Sequence, residues 1–282
     1  MWISEINIYP VKSLKGIGLA ESLVENRGLQ HDRRWMLTDR LGMFFTQREF
    51  PKMATISVTV NGSGIEVSSP GFSSLKIAGE PQTGKRQSVT IWQSVCEGEI
   101  YGDTVNDWFS DVLQTKCQLV YMPETTRRSV NARFDLGNDV VSFADGYPLM
   151  VLSEATLADL NSRLDQPLPM NRFRPNLVVS GSEAFAEDEW QKIRIGNAVF
   201  RVVKPCERCV ITTVDQTNGE FTGKEPLKTL ASYRMAKMVM PERYESLGVG
   251  ANAVLFGQNL IPESSGTSIR LGDPIEVLEM RS

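Results

Sequence analysis

The sequence predicts a mainly β protein with a few helices, an α+β chain built as β-barrels decorated by helical segments. Three observations carry this. Short stretches alternate apolar with polar residues and are punctuated by Asn-Gly or Gly-Asn pairs; helical periodicity is confined to a few windows; and strands and helices do not alternate in the βαβ rhythm of a doubly wound sheet.

Taken in order, Trp2 to Ile6 begins a first strand, and Pro10 ends its regular pairing. Ile56, Val58 and Val60 alternate up to Asn61-Gly62, and Ile65 and Val67 follow, the pattern of a hairpin whose loop Ser63-Gly64 extends. Val105, Trp108, Phe109 and Val112 fall on one helical face behind Asp103, read as its N-cap. Ser153 caps a second helix carrying Leu157, Leu160 and Leu164, with Leu152 and Leu157 placed to form a hydrophobic staple and Asp165 and Pro167 ending it. Ile193 and Ile195, Gly196-Asn197, then Phe200 and Val202 make a second hairpin. The β-branched run Cys209 to Val214 reads as a strand before a turn at Asn218-Gly219. A short helix is expected from Pro226 to Tyr233, and Gly272-Asp273-Pro274 introduces a last strand at Ile275–Leu278. A boundary falls near residue 122, where a strand ends and the polar stretch Pro123–Arg128 begins. This gives units 1–122 and 123–282.

Composition bounds the function. Hydrophobic residues are 41% and charged residues 23% of the 282, ordinary for a globular chain, and the net charge of -4 argues against a nucleic-acid partner. No apolar run is long enough for a membrane span and the N-terminus lacks a secretory pattern, so a cytoplasmic protein without a membrane partner is expected. The four cysteines do not form a disulfide scaffold, and a single histidine, His31, removes most zinc-hydrolase and His-triad mechanisms.

Pro205-Cys206-Glu207-Arg208-Cys209 is the sharpest local feature. It reads as two small buried residues, part of a zinc site, a redox dithiol, or a single thiolate ligand for a soft transition metal, favoured as thiolate by Arg208. Spacing does not choose between Cys206 and Cys209. Lys12 and Ser13, on the turn after the first strand, offer a point charge and a hydroxyl for a phosphate. In His31-Asp32-Arg33-Arg34-Trp35, a strand would put Arg33 and Trp35 on one face. Pro175 biases Arg174 toward extended backbone, so that Arg174 and Asn176 project together. Asp145-Gly146-Tyr147 is a loop before the Ser153 helix, with Asp145 either a turn residue or an active-site acceptor.

Together these segments resemble the MOSC family, named for the C-terminal domain of molybdenum cofactor sulfurase. Tyr9-Pro10-Val11-Lys12-Ser13 resembles the start of its N-terminal β-barrel domain. Leu152–Asn161, Arg172-Phe173-Arg174-Pro175-Asn176, Cys206–Cys209 and Leu271–Pro274 follow in the family's order. The chain is similar to the amidoxime-reducing components, mitochondrial and bacterial. The resemblance implies a MOSC N-terminal β-barrel-like domain followed by a MOSC β-barrel. It implies a molybdenum–molybdopterin cofactor and two-electron reduction of small N-oxygenated substrates, with Cys209 as metal ligand. It places cofactor contacts on Lys12, Ser13, Arg33, Arg174, Asn176 and Arg208, and the active-site loop on Asp145, Gly146 and Tyr147, where Asp145 orders a water or relays a proton. It carries a nominal pyridoxal phosphate association too, although no pyridoxal-type lysine motif that would generate a persulfide is visible. The chain shows no ferredoxin-like cysteine cluster, so electrons are expected from a separate protein: a ferredoxin, a cytochrome b5-like protein or a flavin reductase. The rival readings are a non-catalytic cofactor carrier and a sulfur-handling protein using Cys206 or Cys209.

Overall fold

A computed structural model describes residues 1–62 and 64–281. The protein is mainly β. Its largest sheet runs, in spatial order, through Ile17–Leu19, Trp2–Ile8, Leu177–Ser180, Leu149–Ser153, Leu255–Pro262, Ala198–Glu207, Trp190–Ile195 and Ile275–Met280. One face of this sheet is built from Ile3, Ile6, Val179, Ile193, Phe200 and Leu260, all removed from water. The N-terminal strand therefore belongs to a sheet made of residues far away in sequence: Ile6 faces Leu177 and Trp2 faces Ser180. Glu21–Glu25 does the same, pairing with Thr267–Arg270.

Residues between these strands form the N-terminal barrel-like part. Trp35–Thr38, Gln118–Tyr121, Ser94–Ile100 and Arg86–Ile91 make one curled sheet, and Ser57–Asn61, Gly64–Ser69 and Phe72–Ile77 another. They close over Trp35, Leu37, Met53, Ile65, Val67 and Leu119, with Phe109 of the helix Asp103–Leu113 pressed into the same core.

Both hairpins form as the alternation predicts, with Val58 opposite Val67 and Ile193 opposite Phe200. Ser63, expected to lengthen the first loop, lies outside the described residues. Ser153 caps the helix Glu154–Asn161 by accepting from the Thr156 amide, and Leu152 and Leu157 share one apolar cluster. That helix and its flanking strands form a βαβ unit, since Leu149–Ser153 and Leu177–Ser180 run parallel. The helix stops at Asn161, earlier than Asp165 and Pro167 suggest, because the Asn161 side chain bonds both the amide and the carbonyl of Leu168 and turns the chain.

Other expectations are corrected. Gly102, not Asp103, is the N-cap of the first helix, because its carbonyl already accepts from Val105 and Asn106. Asp103 sits in the first turn, where its charge suits the dipole. The run after Cys209 is not a strand but a 3-10 turn, Val210–Thr213. There the Thr212 and Thr213 hydroxyls donate to the carbonyls of Cys209 and Val210, three residues back, a local bond that outcompetes β propensity. The Pro226 helix is confined to Leu227–Ala231, and a further short helix, Ala236–Val239, carries no clear sequence signal.

Candidate functional site

Every predicted site residue lines one cleft: Lys12, Ser13 and Arg33 from the first third of the chain, Asp145, Gly146 and Tyr147 from the middle loop, Arg174 and Asn176 from the approach to a sheet strand, and Arg208 and Cys209 from the end of another. Cys206 and Glu207 line it as well.

Strained turns aim several of these groups. Ser13, Arg33 and Arg174 have φ of 67°, 48° and 55°, a region that costs residues other than glycine and persists where surroundings impose it. For Arg33 and Arg174 this overturns the extended backbone expected from sequence. Residues before Trp35 form a turn rather than a strand, so alternation does not set the direction of Arg33. The surroundings are visible: the guanidinium carbons of Arg33 and Arg174 lie 4.4 and 4.1 Å from the centre of the buried Tyr9 ring, and the Tyr9 hydroxyl donates to the Pro175 carbonyl. Burial pushes the Tyr9 hydroxyl up to about 12 and draws the Arg174 guanidinium down to about 10, so Arg174 stays charged at neutral pH.

Asn176 is fully buried and engaged with the protein. Its side-chain oxygen accepts from Arg33 at 2.9 Å and from the Met150 amide at 3.2 Å, and its nitrogen donates to the Asn7 carbonyl. It acts here by fixing Arg33 between two strands. Arg33 also pairs with the buried carboxylate of Asp32.

Lys12 is buried beside the middle loop, donating to the Phe143 carbonyl and to Asp145. Burial lowers its ammonium to about 8, although Asp145 works to raise it. Burial pushes the Asp145 carboxyl up, but Lys12, Arg48 and the Trp92 indole outweigh it and hold it well below the carboxylate range. Asp145 is thus an anion whose side chain still opens to the cleft, 52% exposed. Arg128 fixes this loop, donating to the carbonyls of Ser142, Ala144 and Asp145. Gly146 faces open space, and Tyr147 packs edge-on against Phe134.

The two cysteines have different cations. Arg208, expected to assist Cys209, instead donates to Cys206 Sγ at 3.0 Å and to the Phe173 carbonyl. Burial pushes the Cys206 thiol up against the pull of Arg208. Cys209 Sγ accepts from Arg48 at 3.1 Å. Sequence reading missed Arg48, along with Gln47, whose amide ties the Ser13 carbonyl to Gln216 and so to Arg174. The sequence signal that Thr46-Gln47-Arg48 offers is a cation amid the apolar residues Phe44, Phe45 and Phe50.

Among the described residues there is no group of three or more His, Cys, Asp or Glu side chains able to cage a metal. The cleft suits a metal that brings most of its ligands on an organic anion and takes one sulfur from the protein. Lys12, Arg33, Arg48, Arg174 and Arg208 outnumber Asp145 and Glu207 along its walls. Buried Arg48 Nη1 and Arg208 Nε have no protein partner among the described residues, donors that a polyanion would satisfy.

The fold and this cleft define a two-part MOSC protein: residues 1–116 match the MOSC N-terminal beta barrel domain and residues 138–276 the MOSC domain. Over nearly its whole length the chain belongs to the family of amidoxime-reducing components. It is 34% identical to mitochondrial amidoxime reducing component 2 of Rattus norvegicus over 97% of this chain and 82% of that protein. It is likewise 34% identical to mitochondrial amidoxime-reducing component 1 of Homo sapiens over 98% and 82%. Among solved structures, the YUAD protein of Bacillus subtilis aligns with a TM-score of 0.40 at 11% identity, over 97% of this chain and 92% of that one. Among the described residues, no helix is long and apolar enough to cross a membrane.

Proposed function

We propose that this chain is a molybdenum-dependent oxidoreductase that reduces small N-oxygenated compounds, holding a molybdopterin-type cofactor in the cleft with Cys209 as the protein's ligand to the metal. The observation that carries this reading is the convergence of one buried and four half-buried cations, Lys12, Arg33, Arg48, Arg174 and Arg208, around one half-buried sulfur in a chain of the amidoxime-reducing family. Bound there, the cofactor would supply the two-electron chemistry that splits an N–O bond. Lys12, Arg33, Arg174 and Arg208 hold its anionic groups. Asn176 and Tyr9 orient Arg33 and Arg174. Reduction of N–OH to N–H and water consumes two protons. Asp145, held as an anion by Lys12 and Arg48, orders water or substrate rather than donating a proton; the titratable proton beside it is on Lys12 Nζ. Electrons come from a separate donor protein. The division after residue 122 belongs to the same proposal, with the first strands returned to the second unit.

The test is metal and pterin content of freshly purified protein beside Cys209→Ala, followed by amidoxime reduction with an artificial electron donor. Stoichiometric molybdenum and pterin that the variant loses, together with turnover, are the expected result. Cofactor without turnover would favour a carrier, and labile sulfur trapped on a cysteine would favour sulfur handling.

A further inference from the structure

We infer that Arg48 is a positioning residue for the Cys209 sulfur and that Trp92 holds Arg48 in place. The inference deepens the proposed function and rests on it for the metal, though not for the contact itself. Arg48 lies 161 residues from Cys209 in sequence, yet its Nη2 donates to Sγ at 3.1 Å and lies 3.6 Å from Asp145 Oδ2. One guanidinium thus spans the Cys209 sulfur and the Asp145 carboxylate. Among the described residues no other side chain donates to Cys209 Sγ, because the adjacent Arg208 is taken up by Cys206, Met150 and Phe173.

The support behind Arg48 is equally specific. Its guanidinium carbon lies 4.7 Å from the centre of the Trp92 ring, which meets Phe44 edge-on at 5.1 Å. Trp92 is at the tip of the hairpin joining Arg86–Ile91 to Ser94–Ile100, with φ 56°, a conformation a bulky residue adopts only when its surroundings require it. It remains half exposed, so burial does not account for its place. A planar guanidinium stacks on an indole while its edge donates to two acceptors. Donation to a ligand sulfur fixes its direction and withdraws charge from it, which tunes any metal it holds.

The experiment compares wild type with Arg48→Gln, Arg48→Lys and Trp92→Ala. In cofactor-free protein, alkylation of Cys209 by iodoacetamide at neutral pH is followed by peptide mass spectrometry. Arg48→Gln should slow it about tenfold, Arg48→Lys should recover most of the rate, and Trp92→Ala should fall between. In molybdenum-loaded protein, Arg48→Gln should move the midpoint potential of the metal negative and lower kcat with little change in KM. Alkylation of Arg48→Gln at the wild-type rate would overturn the inference whatever the metal content. Slowed alkylation in a protein that never carries molybdenum would leave the positioning role standing and remove the proposed function. Should Arg48→Gln fail to fold, Trp92→Ala decides: an unchanged rate there shows that the stacked support does not act on the sulfur.

Discussion

The Cys209 cleft offers about 170 Å³ of room, whereas two adjoining hollows that share Glu25 and Glu124 offer about 560 and 410 Å³. Charge runs the other way. In the larger hollows Arg27, Arg34 and Arg127 are matched by Glu25, Glu80 and Glu124. Arg34 pairs with Glu124 at 2.6 Å and approaches Glu25 at 3.7 Å, and Arg27 lies 3.5 Å from Glu124. In the smaller cleft the lining cations exceed the lining carboxylates, and beside the pairs that Arg33 makes with Asp32 and that Lys12 and Arg48 make with Asp145, several are braced by an aromatic ring or a buried amide. Size marks where the surface folds inward. An excess of buried, pre-oriented charge marks where an oppositely charged ligand repays the cost of its burial.

That contrast can be broken in graded ways. The largest effect is expected from Cys209→Ala, which should reduce metal content and amidoxime turnover to background with little change in melting temperature, since the half-buried sulfur contributes little packing. Next, Arg174→Met and Arg34→Met should separate the two regions. Arg174→Met should weaken cofactor retention about 10- to 100-fold, the loss of one hydrogen-bonding charge. Arg34→Met should leave retention unchanged and cost about 1–3 kcal/mol of stability, since it strands the Met122 carbonyl and the Tyr121 hydroxyl. Equal retention in the two variants would erase the distinction drawn between the hollows.

A smaller effect concerns pH. Lys12 is cationic below about 8 and neutral above it, and an anion binds the charged form. Affinity of the cleft for inorganic phosphate or pterin phosphate should therefore fall as pH rises through that value. An isothermal titration series should show the step in wild type and lose it in Lys12→Met; a step that survives the substitution would assign it to another group. The smallest effect is Gly146→Ala. An added Cβ there meets nothing within 4 Å and the backbone is not left-handed, so stability should change by less than about 0.5 kcal/mol. A larger loss of turnover than of stability would place substrate against that loop.

Much of this was legible in the sequence because it is local. Alternation with Asn-Gly or Gly-Asn marked both hairpins, and Ser153 announced its helix by a cap that bonds three residues on. The site residues were recognisable as motifs in order, and the fold gathers them. What stayed hidden depends on partners far along the chain. Arg174 is turned left-handed beside Tyr9, against the bias imposed by Pro175. Arg208 beside Cys209 looked like its partner but reaches Cys206, while Arg48 arrives from a distant turn ahead of Pro51. The 3-10 turn after Cys209 was missed for the opposite reason: two threonine hydroxyls override β propensity within a single turn, below the scale at which alternation is read.

The pairing of Trp2–Ile8 with Leu177–Ser180, and of Glu21–Glu25 with Thr267–Arg270, also orders events during synthesis. A ribosome releases the first strands long before their neighbours exist, so these segments wait with open edges while the barrel around Trp35 and Phe109 is free to form. Lys12 and Arg33 lie just beyond the waiting strands, and Cys209 has yet to be made. The cleft cannot be complete before Cys209 has been added, so whatever it holds between Lys12, Arg33 and that sulfur meets a chain whose N-terminal barrel is already synthesised.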